Sequence, residues 1–187
     1  DKKTATLFAD GAGAVVLKAG AAAGKGVLAT ELLTEGQYNE WMGIYGGAAK
    51  NPVTHEMIEA HGHQLQFVRK FPKELNPEIW TAMANQLSTR IGLAADEVSH
   101  FFITQININS IWETMERLGQ PREKAPTVMH YYGYTGSACI PMAFNKAYEE
   151  GKLKAGQLVY FIGSGGALAF ASAAVRLGAE LENAAPA

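Results

Sequence analysis

The chain has 187 residues, 48% of them hydrophobic and 18% charged, with a formal net charge of −2. That length buries a real core in one domain without disulfides or a metal, and the near-neutral balance gives no grip on nucleic acid or an anionic membrane. Cys139 is the single cysteine, which excludes an internal disulfide and a cysteine metal cage and fits a reducing, cytoplasmic setting.

From its first residues the chain enters a β-prone pattern, Asp1-Lys2-Lys3-Thr4-Ala5-Thr6-Leu7-Phe8, with no initiator Met and no signal peptide. It therefore reads as the continuation of something longer. Thr4 to Lys18 carries two β-prone stretches around Asp10-Gly11-Ala12-Gly13, where small residues permit tight turning or a close approach of another backbone. No helix start with Lys-Ser/Thr follows, so this is not a phosphate loop. Gly26 to Leu33 reads as a third strand, and Glu35 to Lys50, rich in Gly and Tyr and without a period, as a surface loop. There Trp41 and Tyr45 are placed to line an entrance. Asn51 to Phe71 has no clear period. Its His61-Gly62-His63 lacks a further ligand at recognisable spacing, so no metal site is expected.

Asn76 as cap, Pro77 in the first turn and Glu78 at the positive end predict a helix start. Ile79, Trp80, Met83, Leu87 and Ile91 carry that helix at a period of 3.6 to Gly92. Val98 to Thr104 is a short, nearly continuous apolar run, hence a buried strand. A second helix follows, with Ser110 and Glu113 at capping-box spacing and Ile111, Trp112, Met115 and Leu118 on one face. Thr127 to Tyr132 is predicted as a strand and Gly136 to Gly151 as a helix, with Pro141 tolerated in its first turn. Cys139, in a run of small residues at that helix start, reads as a packed thiol. Gln157 to Ile162 and Ala167 to Leu177 are the closing strands, joined through Gly163-Ser164-Gly165-Gly166 in a Gly-rich turn. Helices alternating with buried strands imply a layered α/β domain with a mixed sheet over residues 1–178, followed by a frayed tail at 179–187. No apolar run approaches a membrane span.

Four stretches carry a resemblance: "LFADGAGAVVL" (Leu7 to Leu17), "TQININSIWETMERLG" (Thr104 to Gly119), "YYGYTGSACIPMAF" (Tyr131 to Phe144) and "GKLKAGQLVYFIGSGGALAFASAAVRL" (Gly151 to Leu177). In this order they resemble the C-terminal half of the β-ketoacyl-ACP synthase III family, the thiolase-fold condensing enzymes. The resemblance implies an α-β-α half with a five-stranded mixed sheet, and a half-subunit whose nucleophilic cysteine lies in a missing N-terminal half. It implies no cofactor beyond the substrate, an acyl thioester of CoA or of the acyl carrier protein phosphopantetheine. The implied partners are that N-terminal half, a second full subunit in a homodimer or heterodimer, and an acyl carrier protein.

Carried over by position, the family's catalytic His falls on Thr104 and its catalytic Asn on Tyr134. Gln105 and Asn107 keep the second and fourth positions of the His-Gln-Ala-Asn turn. Gly165 and Gly166 match the glycines whose backbone helps form the oxyanion hole, so Gly166 joins Thr104 and Tyr134 as a catalytic position. Ser164 replaces a usual Phe in the pocket wall, and Asn109 stands where the family has a basic residue for carrier docking. Gln105, Asn107, Asn109, Ser164 and Gly165 are thus expected on the substrate side. His130, four residues before Tyr134 on the expected strand, would lie about 13 Å away along it and is a poor substitute imidazole. Threonine is neither acid nor base near neutrality, and a tyrosine offers one hydroxyl donor. The alternatives are an acyltransferase with an altered second step, a non-catalytic structural partner of an active synthase, or a half-domain used only for association.

Overall fold

The computed structural model describes residues 2–17, 19–20, 24–166 and 168–178; the expectations for Asp1, Lys18 and the tail 179–187 lie outside the described residues. Helix α1 (Lys2–Ala5) leads to a segment whose Phe8 bridges Tyr134. Strand β1 (Gly26–Thr34) comes next, then a small ribbon of β2 (Met42–Gly43) and β3 (Gln66–Phe67) enclosing α2 (His55–Glu59). The remainder is α3 (Leu75–Ile91), β4 (Val98–Ile103), α4 (Ile108–Arg117), α5 (Met129–Tyr132), α6 (Cys139–Glu149) and the hairpin β5 (Leu158–Gly165) and β6 (Ala169–Arg176).

Among the described residues the main sheet has four strands in the order β1-β6-β5-β4, not the five expected. Strands β4 and β5 run parallel and the other pairs antiparallel, so the sheet is mixed. Side chains alternate across it with the period of two that a strand imposes. Phe101, Ile103, Tyr160 and Ile162 face one core with Trp80, Met83 and Leu87 of α3 and Ile111 and Met115 of α4. Phe102, Val159 and Phe161 face the other, with Ala143, Phe144 and Ala147 of α6. Each fully buried large side chain contributes about 1.5–3 kcal/mol, and helices on both faces account for the nearly continuous apolar run of β4.

Local chemistry explains where the expected boundaries move. Leu75 N–H donates to Pro72 O and Glu78 N–H to Glu74 O, so α3 starts before Asn76, which lies inside the first turn rather than capping it. Gly92 ends the helix in the left-handed conformation, φ +68°. The cap of α4 is Asn107, whose Oδ1 accepts from Asn109 N–H at 3.0 Å; Ser110 is buried within the helix and Glu113 pairs with Arg117 at 2.7 Å. Residues 4–17 form no regular strand. Only Phe8 finds a bridge partner, and Val15, Val16 and Leu17 stay exposed.

Asp10-Gly11-Ala12-Gly13 makes its close approach to side chains rather than to a backbone. A Cβ at Gly11 would sit 2.8 Å from Thr135 Cβ and Met142 Sδ, and one at Gly13 would overlap the Pro141 ring.

The predicted strand Thr127–Tyr132 is instead a loop entering α5, because its leading N–H groups are taken by a side chain: Gln105 Oε1 accepts from Val128 N–H (2.7 Å) and Met129 N–H (3.0 Å). His130 consequently sits on a helical turn, not on the extended spacing expected for it. Trp80 is core as expected, whereas Trp112 is half-buried beneath Arg122, whose guanidinium lies 4.6 Å from the ring centroid. Among the described residues, no helix is long and apolar enough to cross a membrane.

Candidate functional site

The parallel strand β4 ends at Ile103, and the chain turns through Thr104 and Gln105 into α4. Both residues are buried. Thr104 N–H donates to Ile162 O at 3.0 Å, and Thr104 Oγ1 accepts from Ser164 N–H at 2.8 Å. The hydroxyl therefore ties the end of β4 to the end of β5.

Gln105 binds in four directions: its backbone N–H reaches Cys139 Sγ at 3.4 Å, its Nε2 donates to Pro126 O at 3.2 Å, and its Oε1 takes the two N–H groups of Val128 and Met129. It locks β4, the α5 loop and the start of α6 together and lines neither cavity described below. Asn107 and Asn109 are exposed at the start of α4, where one caps the other.

Tyr134 follows Gly133, whose backbone (φ +71°, ψ −163°) suits glycine. Tyr134 N–H donates to Leu7 O at 3.2 Å, Ala9 N–H donates to Tyr134 O at 2.9 Å, and the Phe8 and Tyr134 rings pack at 5.2 Å. Tyr134 is only 8% exposed. Burial, with a smaller contribution from Cys139, pushes its phenol up to about 12, so it is a neutral donor throughout the physiological range. Among the described residues its hydroxyl has no hydrogen-bond partner.

Two cavities meet at the β5 end. One, about 440 Å³, has walls of Phe8, Met42, Phe67, Phe71 and Ile106 and is edged by Tyr134 and Ser164-Gly165-Gly166. The other, about 350 Å³, is lined by Thr104, Cys139, Ile140 and Gly163 with Leu32 and Leu33 of β1, and shares Ser164 and Gly165. Thr104, Tyr134, Ser164, Gly165 and Gly166 are thus gathered around one strand end, with Thr104 in the smaller cavity and Tyr134 in the larger, the two sharing Ser164 and Gly165.

Cys139 opens α6, but burial pushes its thiol up against the weaker opposing effect of the Gln105 N–H, as a packed thiol requires. Trp41 packs on Tyr38 and stacks on Phe71, one ring behind the larger cavity, and Tyr45 O–H donates to Glu40 O; neither lines the two cavities. No group of three or more His, Cys, Asp and Glu that could hold a metal occurs among the described residues. Sequence reasoning passed over Phe8, Met42, Phe67 and Phe71 as cavity walls. Of these only Phe8 carried a signal, by its place inside "LFADGAGAVVL".

The family profile for 3-oxoacyl-[acyl-carrier-protein (ACP)] synthase III, C terminal, matches residues 88–177, and that for 3-oxoacyl-[acyl-carrier-protein (ACP)] synthase III matches residues 1–36. The chain is a synthase III-like protein with the thiolase fold. It is 33% identical over 181 residues to the beta-ketoacyl-[acyl-carrier-protein] synthase III of Rhodobacter capsulatus, covering 94% of this chain and 53% of that protein. With the synthase III of Paracoccus denitrificans the identity is 34% over 180 residues, again 94% and 53%. The crystal structure of 3-oxoacyl-(acyl carrier protein) synthase III from Pseudomonas aeruginosa superposes with a TM-score of 0.83 at 25% identity, over 95% of this chain and 54% of that one. The Thermus thermophilus synthase III shares the fold, with a TM-score of 0.74 at 22% identity over 96% and 54%. The chain thus spans about half the length of the synthase III proteins it matches.

Proposed function

We propose that the chain is the C-terminal half of a synthase III-like acyltransferase acting on acyl thioesters of CoA or acyl carrier protein. The observation carrying this reading is the largely apolar cavity of about 440 Å³ whose lining includes Tyr134 and the Gly165-Gly166 turn. An acyl chain fills such walls by the hydrophobic effect, and the polar donors in the lining suit a thioester carbonyl. On this reading a cysteine supplied by the N-terminal half takes the acyl group, and Gly166 N–H faces the developing oxyanion.

Thr104, with its hydroxyl already accepting a backbone N–H, provides no imidazole for decarboxylation. The second step is then transfer to an acceptor that needs none. Exposed Asn109 offers no charge to an acidic carrier, which weakens steering by electrostatics. The working assembly is a dimer of complete subunits in the cytoplasm, in fatty acid or polyketide biosynthesis.

A second reading, a non-catalytic partner of an active synthase, draws support from the two uncharged groups at Thr104 and Tyr134. Mass spectrometry of the complete gene product after incubation with octanoyl-CoA separates the two. An acyl adduct on a cysteine outside this chain supports the enzyme. No adduct at any acyl length, alone or mixed with a synthase partner, overturns it. The double substitution Thr104→His with Tyr134→Asn is expected to raise decarboxylation of a malonyl thioester.

A further inference from the structure

We infer that Arg69 and Lys70, on the segment between β3 and α3, form the surface on which an acidic acyl carrier protein docks; the inference rests on the reading above and names the partner of that same site. A cavity of about 460 Å³ is lined by Leu7, Phe67, Val68, Arg69, Lys70 and Phe71. Phe67 and Phe71 are also walls of the cavity that contains Tyr134 and Gly166. The two cations therefore stand beside the space assigned to the acyl thioester, where Asn109 supplies no charge.

Both side chains belong to exposed residues and neither makes an ion pair among the described residues, whereas the neighbouring Lys73 lies 3.6 Å from Glu74. In a chain of net charge −2, two adjacent unpaired cations are a local departure. Arg69 is also held in place. Its backbone N–H and that of Val68 both donate to Trp41 O, at 3.1 and 2.8 Å, and its guanidinium lies over the Trp41 ring, 5.7 Å from the centroid. Trp41 in turn stacks on Phe71. A guanidinium resting on a ring keeps N–H groups at its edge for carboxylates, and holding it there beforehand reduces the side-chain entropy lost on binding.

The rest of the lining decides what kind of anion fits. Leu7, Phe67, Val68 and Phe71 are apolar, and Val68 is 57% exposed. An amphipathic helix with carboxylates beside its apolar face covers those side chains and pairs with both cations at once. The phosphates of CoA meet the cations alone and leave the apolar lining in water. The surface therefore fits the protein carrier rather than the free coenzyme. Charges at the rim of such a contact act chiefly on the rate of encounter, and their effect falls with salt.

The test compares acylation of the complete gene product by octanoyl-acyl carrier protein and by octanoyl-CoA, as second-order rate constants from about 20 mM to about 0.3 M salt. Arg69→Gln combined with Lys70→Gln is expected to lower the carrier rate about tenfold at low salt, to flatten its salt dependence and to hold the octanoyl-CoA rate within about twofold. Arg69→Lys combined with Lys70→Arg keeps both charges and is expected to keep the carrier rate, which separates lost charge from a lost fold; the same tenfold loss there overturns the inference. Lys154→Gln, which removes a cation ahead of β5 and so at the far end of that strand from Gly165, is expected to change neither rate. An unchanged carrier rate in the Gln variant, or an equal loss with both donors, overturns the inference while the acyl-thioester reading stands. If neither donor acylates the unaltered protein, both fall.

Discussion

Replacing Gln105 by Leu removes the crosslink while nearly preserving side-chain volume, so the effect isolates hydrogen bonding from cavity formation. Three side-chain bonds disappear: two to Oε1 at 2.7 and 3.0 Å and one from Nε2 at 3.2 Å. Val128 is buried, and its N–H is left without a partner; Met129 N–H and Pro126 O are half-buried and recover part of their loss from water. An unsatisfied buried group costs about 1–3 kcal/mol, so the fully enclosed N–H and two partly recovered groups sum to about 3–5 kcal/mol. That is a large share of the ~5–15 kcal/mol by which domains are stable, and it lowers the melting temperature by roughly 6–20 °C for a chain of this size. Urea unfolding at 25 °C measures it as a lower midpoint at unchanged slope. A loss under about 1 kcal/mol would refute the reasoning, since the 126–129 loop would then satisfy its own backbone without Gln105.

Gly13→Ala forces a methyl into the Pro141 ring, and Pro141 is fixed in the first turn of α6. Overpacking of about 1–3 kcal/mol releases residues 9–17 from α6, expected as roughly tenfold faster proteolysis within that segment at an almost unchanged global midpoint. Equal cleavage in both proteins counts against the packing role. His100 is held below the ordinary histidine range chiefly by burial, against a weaker raising effect from its bond to Lys152 O, and its buried Nδ1 has no partner among the described residues. As pH falls below about 6.5 the unfolded chain takes up a proton that the fold resists, so stability present above that value declines. His100→Phe is expected to flatten the decline between pH 8 and pH 5 in urea midpoints; parallel profiles would show that another group causes it.

How legible each element was depended on how far away its partners lie. Helix α3 and strand β4 could be read directly, because Trp80, Met83 and Leu87 repeat at helical spacing and Val98 with Phe101-Phe102-Ile103 makes a short, mostly apolar run. The start of α4 was displaced only slightly, because Ser110 and Asn107 are both competent caps and the backbone geometry at Asn107 decides between them. The failure at residues 127–132 had a non-local cause. The β-prone residues are present, but Gln105, more than twenty positions earlier, claims the N–H groups a ladder would need. Thr4 to Lys18 likewise reads as two β-prone stretches, and within the described residues 4–17 only Phe8 finds a bridge partner, so β-prone composition alone makes no strand there. For the site, Thr104 and Tyr134 were found by position. That they line two cavities sharing Ser164-Gly165, with Phe8 against the Tyr134 ring, depends on contacts that no local pattern encodes.

The pairing of β1 with β6 sets the order in which this molecule can be made. Gly26 lies opposite Arg176 and Thr34 opposite Ala169, so the first strand of the sheet waits for the last. The ladder partner of β1, strand β6, leaves the ribosome about 140 residues later, so β1 stays unpaired with β6 until almost all of this chain has been translated. Closing so long a loop slows folding more than it weakens the finished fold. Throughout that interval the whole strand, and not just its outer edge, is available to any other unpaired strand, which makes the nascent chain a natural client for chaperones and a candidate for improvement by slower, cooler synthesis.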